Sequence, residues 1–205
     1  RLNTLMKTLF NEGWVFSEYE IESDSMYKDG NPILFKPDQF YERSNTLTYK
    51  SINIPHDWMI YHVKDLYKNS VGFYKKTFKL TAEQVEDRHN AIRFEGVYMN
   101  SAVWINGKKA GEWKYGYTTF EFDISDLVRK GQNDILVIVV YQDTNTRWYS
   151  GAGIFRDVTY INTPKTYLVS DGVYFSAKPE NEEKLDGKWN LKISSEIAGD
   201  NTDWI

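Results

Sequence analysis

Short segments in which apolar and polar side chains alternate recur along this chain. The segment NAIRFEGV places Ile92 and Phe94 on one side, which is the period of a strand with one buried face. The segment TFEFDI repeats the pattern, with Phe120 and Phe122 facing inward. Residues 135–141, ILVIVVY, are instead apolar without alternation, which predicts a central strand covered on both faces.

Turn residues separate these segments. Asn106-Gly107 predicts a type I′ hairpin turn, because that turn needs positive φ at both central positions. Ser125 is predicted to cap a single turn that runs through Leu127, and residues 81–89 show a short helical pattern. Many short strands joined by turns and by long connections predict an all-β chain folded as a jelly-roll β-sandwich.

Two stretches interrupt this series of predicted strands and turns. Residues 23–46 contain two prolines and a Lys-Asp-Gly-Asn turn without periodicity, which predicts a long loop. The second break is at residues 161–165, and two further strand patterns follow it, around Val173–Phe175 and Leu191–Ile193. Because two strands cannot form a sandwich alone, we expect them to pair as a hairpin that opens a second, incomplete domain of a larger protein.

Composition narrows the classes of function. The absence of cysteine excludes disulfides and zinc sites built on cysteine. The net charge of −4 with scattered lysines and arginines argues against a nucleic-acid partner. No apolar run approaches the roughly 20 residues of a membrane span. The aromatic content of 16%, mostly Tyr and Trp, suits a surface that contacts sugars or proteins, and equally an aromatic-rich β core.

The stretch RWYSGAGIFRDV, residues 147–158, raises a question of its own. It places Trp148 and Tyr149 beside the small residues Ser150–Gly153, which cannot cover them. Either the loop folds back and buries both aromatic rings, or it presents them to a partner. Ile154 and Phe155, which follow the small residues, are predicted to lie in the core, since a strand begins there.

Five stretches occur in an order that resembles one enzyme family. They are IPHDW (54–58), GFYKKTF (72–78), FEGVYMNSAVWINGKKAG (94–111), GYTTFEFDISDLVRKGQNDILVIV (116–139) and RWYSGAGIFRDV (147–158). Together they resemble the N-terminal sugar-binding domain of glycoside hydrolase family 2, from Trp14 to about Pro164. The resemblance implies a galactose-binding-domain-like jelly roll over residues 1–164 and the first strands of a truncated immunoglobulin-like β-sandwich over residues 165–205.

The resemblance also implies an activity for the larger protein. The family contains retaining β-galactosidases, β-glucuronidases and β-mannosidases, and RWYSGAGIFRDV is closest to the β-galactosidase pattern. The catalytic glutamates of the family's enzymes lie in a TIM barrel that follows the immunoglobulin-like domain. This chain is therefore expected to be inactive alone and to shape the sugar site of a barrel in the same protein. β-Glucuronidase, β-mannosidase and a non-catalytic carbohydrate-binding module remain alternatives.

Candidate site residues follow the apolar strand 135–141. In the β-galactosidases that this chain resembles, an aspartate of this domain binds sugar hydroxyls, and the matching position is Asp143, with Asn145 as its rival. A carboxylate can accept two hydroxyl hydrogen bonds in a geometry that distinguishes epimers, although such residues also cap turns. Arg147 is predicted to pair with a carboxylate, and Trp148 to border a sugar or an interface. The small residues that follow are predicted to let the backbone approach another domain.

The histidines raise the question of a catalytic triad or a metal site. His56, Asp57 and His62 lie close in sequence, but no nucleophile-elbow serine accompanies them, and they are few ligands for a metal. Asp57 is instead predicted to cap the following turn, and His89 to be solvated. No metal or cofactor is predicted. The expected partners are a β-galactoside and the barrel domain, while a homo-oligomer stays open, as does a cytoplasmic, secreted or cell-surface location in a bacterium.

Overall fold

The described secondary structure of this chain is mostly β-strand. The computed structural model describes residues 6–22, 27–28, 31–66, 68–143, 148–181 and 186–199. Its strands are β1 (Met6–Leu9), β2 (Trp14–Glu20), β3 (Tyr27–Lys28), β4 (Asn31–Pro32), β5 (Lys50–Ile52), β6 (Ser70–Leu80), β7 (Arg88–Phe94), β8 (Val97–Tyr98), β9 (Ser101–Ile105), β10 (Lys108–Trp113), β11 (Phe120–Asp123), β12 (Gly131–Tyr141), β13 (Gly153–Ile154), β14 (Val158–Pro164), β15 (Tyr167–Pro179) and β16 (Trp189–Ala198). The described helices are α1 (Ala82–Glu86) and the 3₁₀ helices Pro37–Phe40, Glu42–Asn45 and Met59–Tyr61.

The described chain divides into two compact units, Met6–Asn162 and the residues from Thr163 onward. In the first unit, a four-stranded sheet of order β1-β14-β7-β11 and a six-stranded sheet of order β10-β9-β12-β6-β2-β5 form a sandwich. The chain crosses between the two sheets repeatedly, as a jelly roll does. The predicted all-β jelly-roll sandwich is confirmed. In the part of the chain that the structure describes, no helix is long and apolar enough to cross a membrane.

The core lies between the two sheets. Ile92 and Phe94 of β7 pack there with Tyr74 of β6 and Val137 of β12, and all four side chains are fully buried. Each such aliphatic or aromatic burial contributes about 1.5–3 kcal/mol, so this layer dominates the stability of the unit. β12 pairs with β6 along its whole length and with β9 on its other side, which confirms the predicted central strand.

The outer face of the six-stranded sheet is covered by the segment that the sequence predicts as a loop. Within the predicted long loop of residues 23–46, the described residues form the short strands β3 and β4 and two 3₁₀ helices, so the prediction is wrong in part. Phe40 is buried there in one cluster with Phe73 and Ile138. A four-residue 3₁₀ helix makes little more than one turn, so it leaves no periodicity in the sequence.

Two turns test the sequence predictions. Asn106 and Gly107 have φ of 51° and 81°, which confirms the predicted turn with positive φ at both positions. The turn after β11 differs from its prediction, because Asp123 rather than Ser125 caps it. The Asp123 carboxylate accepts from the Ser125 N–H at 2.9 Å, while the Ser125 hydroxyl accepts from the Asn90 N–H at 2.9 Å.

The short helix predicted within residues 81–89 is confirmed as α1. Thr81 and Gln84 form a capping box at its N-terminus, in which each side chain accepts from the other residue's backbone N–H. The prediction that His89 is solvated is wrong. Its side chain is 12% exposed and its Nε2 lies 3.4 Å from the Asp123 carboxylate, since β7 and β11 are neighbours.

The second unit contains the hairpin β15–β16. Val173 pairs with Ser195 and Phe175 with Ile193, which confirms the predicted pairing of these strands. Because side chains alternate across a strand, one face carries Val173, Phe175, Leu191 and Ile193. Phe175 is 65% exposed, and the other three are also exposed. The described hairpin is therefore amphipathic, with an apolar face in contact with solvent.

Candidate functional site

The candidate site lies at one end of the six-stranded sheet. β12 ends there with Tyr141 opposite Ser70, the first residue of β6, and Val139 is opposite Ser101, the first residue of β9. The loops that leave β12 and enter β6 and β9 therefore meet at this end, which we call the rim. Because loops on a rigid scaffold can change without unfolding the sheet, such ends commonly carry binding residues.

Two amide side chains fix a neighbouring segment to the rim. Gln142 accepts from the Phe35 N–H at 2.8 Å and donates to the Ile33 carbonyl at 2.9 Å. Asn100 donates to the Phe35 carbonyl at 2.8 Å. Residues 33–35, which precede the 3₁₀ helices of the outer face, are thereby held next to the end of β12.

Asp143 lies on the rim directly after Gln142. Its N–H donates to Oδ1 of Asn69 at 2.7 Å, and the residue is half-buried. This bond fixes the start of the segment that the sequence predicts to bind sugar. Asn145 and Arg147, the other predicted residues of that segment, lie outside the described residues.

Trp148 and Tyr149 are not covered by the sandwich. Trp148 is 71% exposed and Tyr149 is 42% exposed, so the first alternative, in which the loop buries both rings, is wrong. The expected exposure of Trp148 is confirmed. The Tyr149 ring stays at the surface, but its hydroxyl donates a hydrogen bond to Oδ2 of Asp57 at 2.5 Å.

Asp57 ties the loop of residues 54–58 to the loop of residues 148–154. Its Oδ1 accepts from the Met59 N–H at 3.0 Å, which confirms the predicted turn cap, and also from the Ala152 N–H at 2.9 Å. Two backbone hydrogen bonds run alongside, from the N–H groups of His56 and Trp58 to carbonyls of the second loop, at 2.7 and 3.0 Å. The two loops therefore act as one paired element.

The small residues of the second loop are explained by this pairing. A Cβ on Gly151 would lie 2.6 Å from Oδ2 of Asp57, and a Cβ on Gly153 would lie 2.3 Å from the His56 carbonyl oxygen. The sequence predicts a close approach to another domain at this run. In the structure, the close approach is to the 54–58 loop of the same sandwich.

The two histidines near Asp57 have separate partners. His56 is 6% exposed, and its Nδ1 shares a hydrogen bond of 2.8 Å with the Tyr74 hydroxyl. His62 is half-buried, and its Nε2 lies 2.8 Å from a carboxylate oxygen of Glu18. Burial, and then the charge of Lys50, lower the pKa of His56 to about 4, while the charge of Asp57 opposes this shift. His56 is therefore neutral at pH 7 and acts as a buried hydrogen-bonding side chain.

The stability of the sandwich is expected to fall in acid through His56. An unfolded histidine has a pKa of about 6.5, so above pH 6.5 His56 is neutral in both states and stability is unaffected. Between pH 6.5 and 4 the unfolded chain binds a proton that the folded chain does not. The free energy of unfolding therefore decreases as pH falls, by up to about 3 kcal/mol, and urea unfolding followed by circular dichroism at pH 7 to 4.5 measures it.

His56→Gln should remove this part of the pH dependence, because glutamine does not titrate. His62→Gln is the matched control, since it removes a histidine that pairs with Glu18 outside the core. Carboxylates titrate in the same range in all three proteins, so the comparison isolates His56. Equal pH profiles for the native chain and His56→Gln would contradict the prediction.

The site also contains residues that the sequence did not indicate. Asn69 and Gln142 hold the rim segments, but each lies in a stretch without periodicity, and their partners are distant in the chain. The sequence indicates an aromatic ring at Tyr149 but not that its hydroxyl donates a hydrogen bond to Asp57. These contacts depend on the proximity of IPHDW and RWYSGAGIFRDV in the folded structure. One sequence alone does not show that proximity.

Comparisons with known proteins agree with this architecture. Residues 34–164 match the family model described as the sugar-binding domain of glycosyl hydrolases family 2. A putative β-glucuronidase of Formosa agariphila is 30% identical over 95% of this chain and 18% of its own length. A β-galactosidase of Bacteroides ovatus is 31% identical over 66% of this chain and 17% of its own length.

A solved structure of a β-glycosidase is also similar to this chain. A β-glycosidase from Bacteroides vulgatus superposes with a TM-score of 0.73 and 26% identity, over 97% of this chain and 25% of that one. The chain spans about a fifth of the length of the curated relatives it matches. The family model covers more than half of the chain and includes β12 and the whole rim. The chain therefore belongs to glycoside hydrolase family 2 and carries the sugar-binding domain of that family.

Proposed function

We propose that this chain is the N-terminal part of a retaining β-glycosidase and that its rim forms one wall of the sugar site. The observation that carries the proposal is the exposed indole of Trp148, next to Tyr149, whose hydroxyl is bonded to Asp57. An apolar ring presented to water on an anchored loop is suited to a sugar or an adjoining domain, because its face can pack on C–H groups.

Asp143 supplies the polar half of this wall. Its backbone is held by Asn69, so its position does not depend on the ligand. A carboxylate that accepts bonds from two sugar hydroxyls selects for their relative orientation, which apolar packing alone does not achieve. Arg147, between Asp143 and Trp148 in the sequence, is proposed to pair with a carboxylate of the neighbouring domain.

The bond-breaking chemistry is proposed to lie in the barrel of the same protein. A retaining glycosidase needs two carboxyl groups about 5 Å apart, one as nucleophile and one as acid and base. In the family these are glutamates of the barrel. The residues of this chain bind and orient the sugar, and they exclude water from one side of the site.

The substrate that we propose is a terminal β-galactoside. The support is the RWYSGAGIFRDV stretch, together with the similarity to the Bacteroides ovatus β-galactosidase. A β-glucuronide is the second candidate, because the Formosa agariphila relative named as a putative β-glucuronidase matches 95% of this chain.

The second unit is proposed to begin an immunoglobulin-like domain over residues 165–205. The support is the apolar face of the hairpin, which contains Phe175 and Ile193. An isolated two-stranded hairpin is only marginally stable, and further strands packed on this face would complete a sandwich.

The test is hydrolysis of nitrophenyl glycosides by the full-length protein that contains this chain. We expect kcat/KM to be highest for the β-galactoside and the 205-residue chain alone to show no turnover. A preference for the β-glucuronide would favour the second candidate, and a preference for the β-mannoside would overturn both. Binding of glycans without any turnover would indicate a carbohydrate-binding module instead.

Asp143→Ala in the full-length protein is expected to reduce transition-state stabilisation by about 2 to 4 kcal/mol, measured as the change in kcat/KM for the preferred glycoside. The loss follows because sugar hydroxyls would lack a charged partner. Asp134→Ala is the matched control, because Asp134 is an exposed aspartate near the opposite end of β12, bonded to Thr77. An unchanged kcat/KM for Asp143→Ala would move the role to Asn145 or away from this loop.

A further inference from the structure

The segment between Asp143 and Tyr149 is attached to the sandwich at both ends. At its start, the Asp143 N–H is bonded to Asn69. At its end, the Tyr149 hydroxyl and the Ala152 N–H are both bonded to the carboxylate of Asp57. We call Asp57, Tyr149 and Ala152 the clamp.

The clamp needs a carboxylate at this position. Oδ1 accepts from two backbone N–H groups, those of Met59 and Ala152, and Oδ2 accepts from the Tyr149 hydroxyl. A hydrogen bond to a charged acceptor is about twice as strong as one between neutral groups. Burial, and then the hydrogen bond and charge of Asp57, raise the pKa of Tyr149 above its usual range, so its hydroxyl remains a donor.

The surroundings leave the clamp little freedom to move. Gly151 has φ of 70° and approaches Asp57 so closely that a Cβ there would overlap the carboxylate. Beneath it, His56 is hydrogen-bonded to Tyr74, and the His56 N–H donates to the Ile154 carbonyl. The clamp therefore rests on the packed core of the sandwich, while Trp148, one residue before Tyr149, is exposed.

We propose that Asp57 and Tyr149 are positioning residues, which hold Trp148, one residue before Tyr149, in the geometry that receives the sugar. This inference rests on the proposed function of the rim and adds two residues that touch no sugar themselves. Positioning matters for the rate, because a displacement of about 1 Å in a group that orients the substrate can cost about 100-fold.

Tyr149→Phe is the sharpest variant, because it removes one hydroxyl and leaves the ring. Tyr49→Phe is the matched control, since Tyr49 is also partly buried and donates its hydroxyl to a backbone carbonyl, that of Ser44, at 2.8 Å over the outer face of the sheet. Both variants lose one hydrogen bond of the sandwich. Only the first loses a bond of the clamp.

The first measurement is amide hydrogen exchange of residues 148–152 in the 205-residue chain. Loss of one charge-assisted hydrogen bond should accelerate exchange of these amides about tenfold in Tyr149→Phe and leave them unchanged in Tyr49→Phe. Asp57→Ala should accelerate them more, because the Ala152 N–H loses its acceptor as well. Asp57→Asn should restore part of the protection, since the amide oxygen can still accept from Ala152. Unchanged exchange in Tyr149→Phe would overturn the clamp.

The second measurement is glycosidase activity in the full-length protein. We expect kcat/KM to fall about tenfold in Tyr149→Phe and not in Tyr49→Phe, with similar melting temperatures for the two variants. Because Asp57 and Tyr149 act together, their effects in Asp57→Ala, Tyr149→Phe and the double variant should not be additive. Faster loop exchange with unchanged kcat/KM would overturn the positioning role alone, whereas an inactive native protein would overturn the proposed function of the rim and the sugar role of the clamp with it.

Discussion

Gly153→Ala is expected to destabilise the sandwich by about 4 kcal/mol, more than any exposed substitution on the rim. Gly153 has φ of 135°, a conformation that costs other residues about 1–3 kcal/mol. Its Cβ would also lie 2.3 Å from the His56 carbonyl oxygen and 2.5 Å from the Tyr74 hydroxyl. The His56 N–H is bonded to the Ile154 carbonyl, and Gly153 pairs with Tyr98 of β8. Neither backbone can therefore move away without breaking one of these pairings. Urea unfolding of the 205-residue chain, followed by circular dichroism, measures the loss.

Gly131→Ala provides the control for backbone conformation alone. Gly131 also has positive φ, 86°, but a Cβ there would meet no atom within 4 Å. Its expected cost is about 1 kcal/mol, from the unfavourable conformation of a residue that has a Cβ. If the two variants lost the same free energy of unfolding, the overlap with His56 would not be the cause of the larger effect.

Asn90→Ala is expected to cost about 4 kcal/mol, because it breaks a buried polar network. Asn90 and Asn162 are fully buried, and the Asn90 side-chain oxygen accepts from the Tyr160 hydroxyl and from Asn162. The Asn90 amide donates to the Gln84 carbonyl at 2.9 Å, which connects α1 to β7. Burial raises the pKa of Tyr160 to about 12, so its hydroxyl stays a donor that would lose its acceptor. Each buried polar group left without a partner costs about 1–3 kcal/mol, and a cavity adds to this.

Asn53→Ala is the control for removing an asparagine from the sandwich. Asn53 is exposed between β5 and Ile54, so its expected effect is within about 0.5 kcal/mol. Urea unfolding compares both variants with the native chain. A small loss for Asn90→Ala would contradict this prediction and would mean that water replaces the missing side chain in the network.

The rim was predictable in part. Asp143 and Trp148 were predicted because they follow a strongly apolar strand and stand in a stretch that resembles a known family. In the structure Asp143 follows β12 and Trp148 is exposed, while their contact with a sugar stays a prediction. The residues that hold them were not predictable in the same way. Asn69 lies 74 residues before Asp143, and Asp57 lies 92 residues before Tyr149, so no local pattern connects them.

Alternation and turn residues by themselves determined several of the strands. The inward positions of Ile92 and Phe94, the turn at Asn106-Gly107 and the strands that contain Phe175 and Ile193 all follow from a period of two residues and from backbone sterics. Such patterns depend on neighbours a few residues away, which every sequence displays directly.

Only the tertiary structure decided which segments cover which faces. Residues 37–45 show no periodicity, yet Phe40 packs against the outer face of the six-stranded sheet. This face exists only after β6 and β12 have paired, so the segment itself does not indicate the contact. Likewise, the small residues Gly151 and Gly153 are required by atoms of Asp57 and His56. Contacts of this kind are set by strand order and sheet packing, which bring together side chains from distant parts of the chain, and so a local pattern does not specify them.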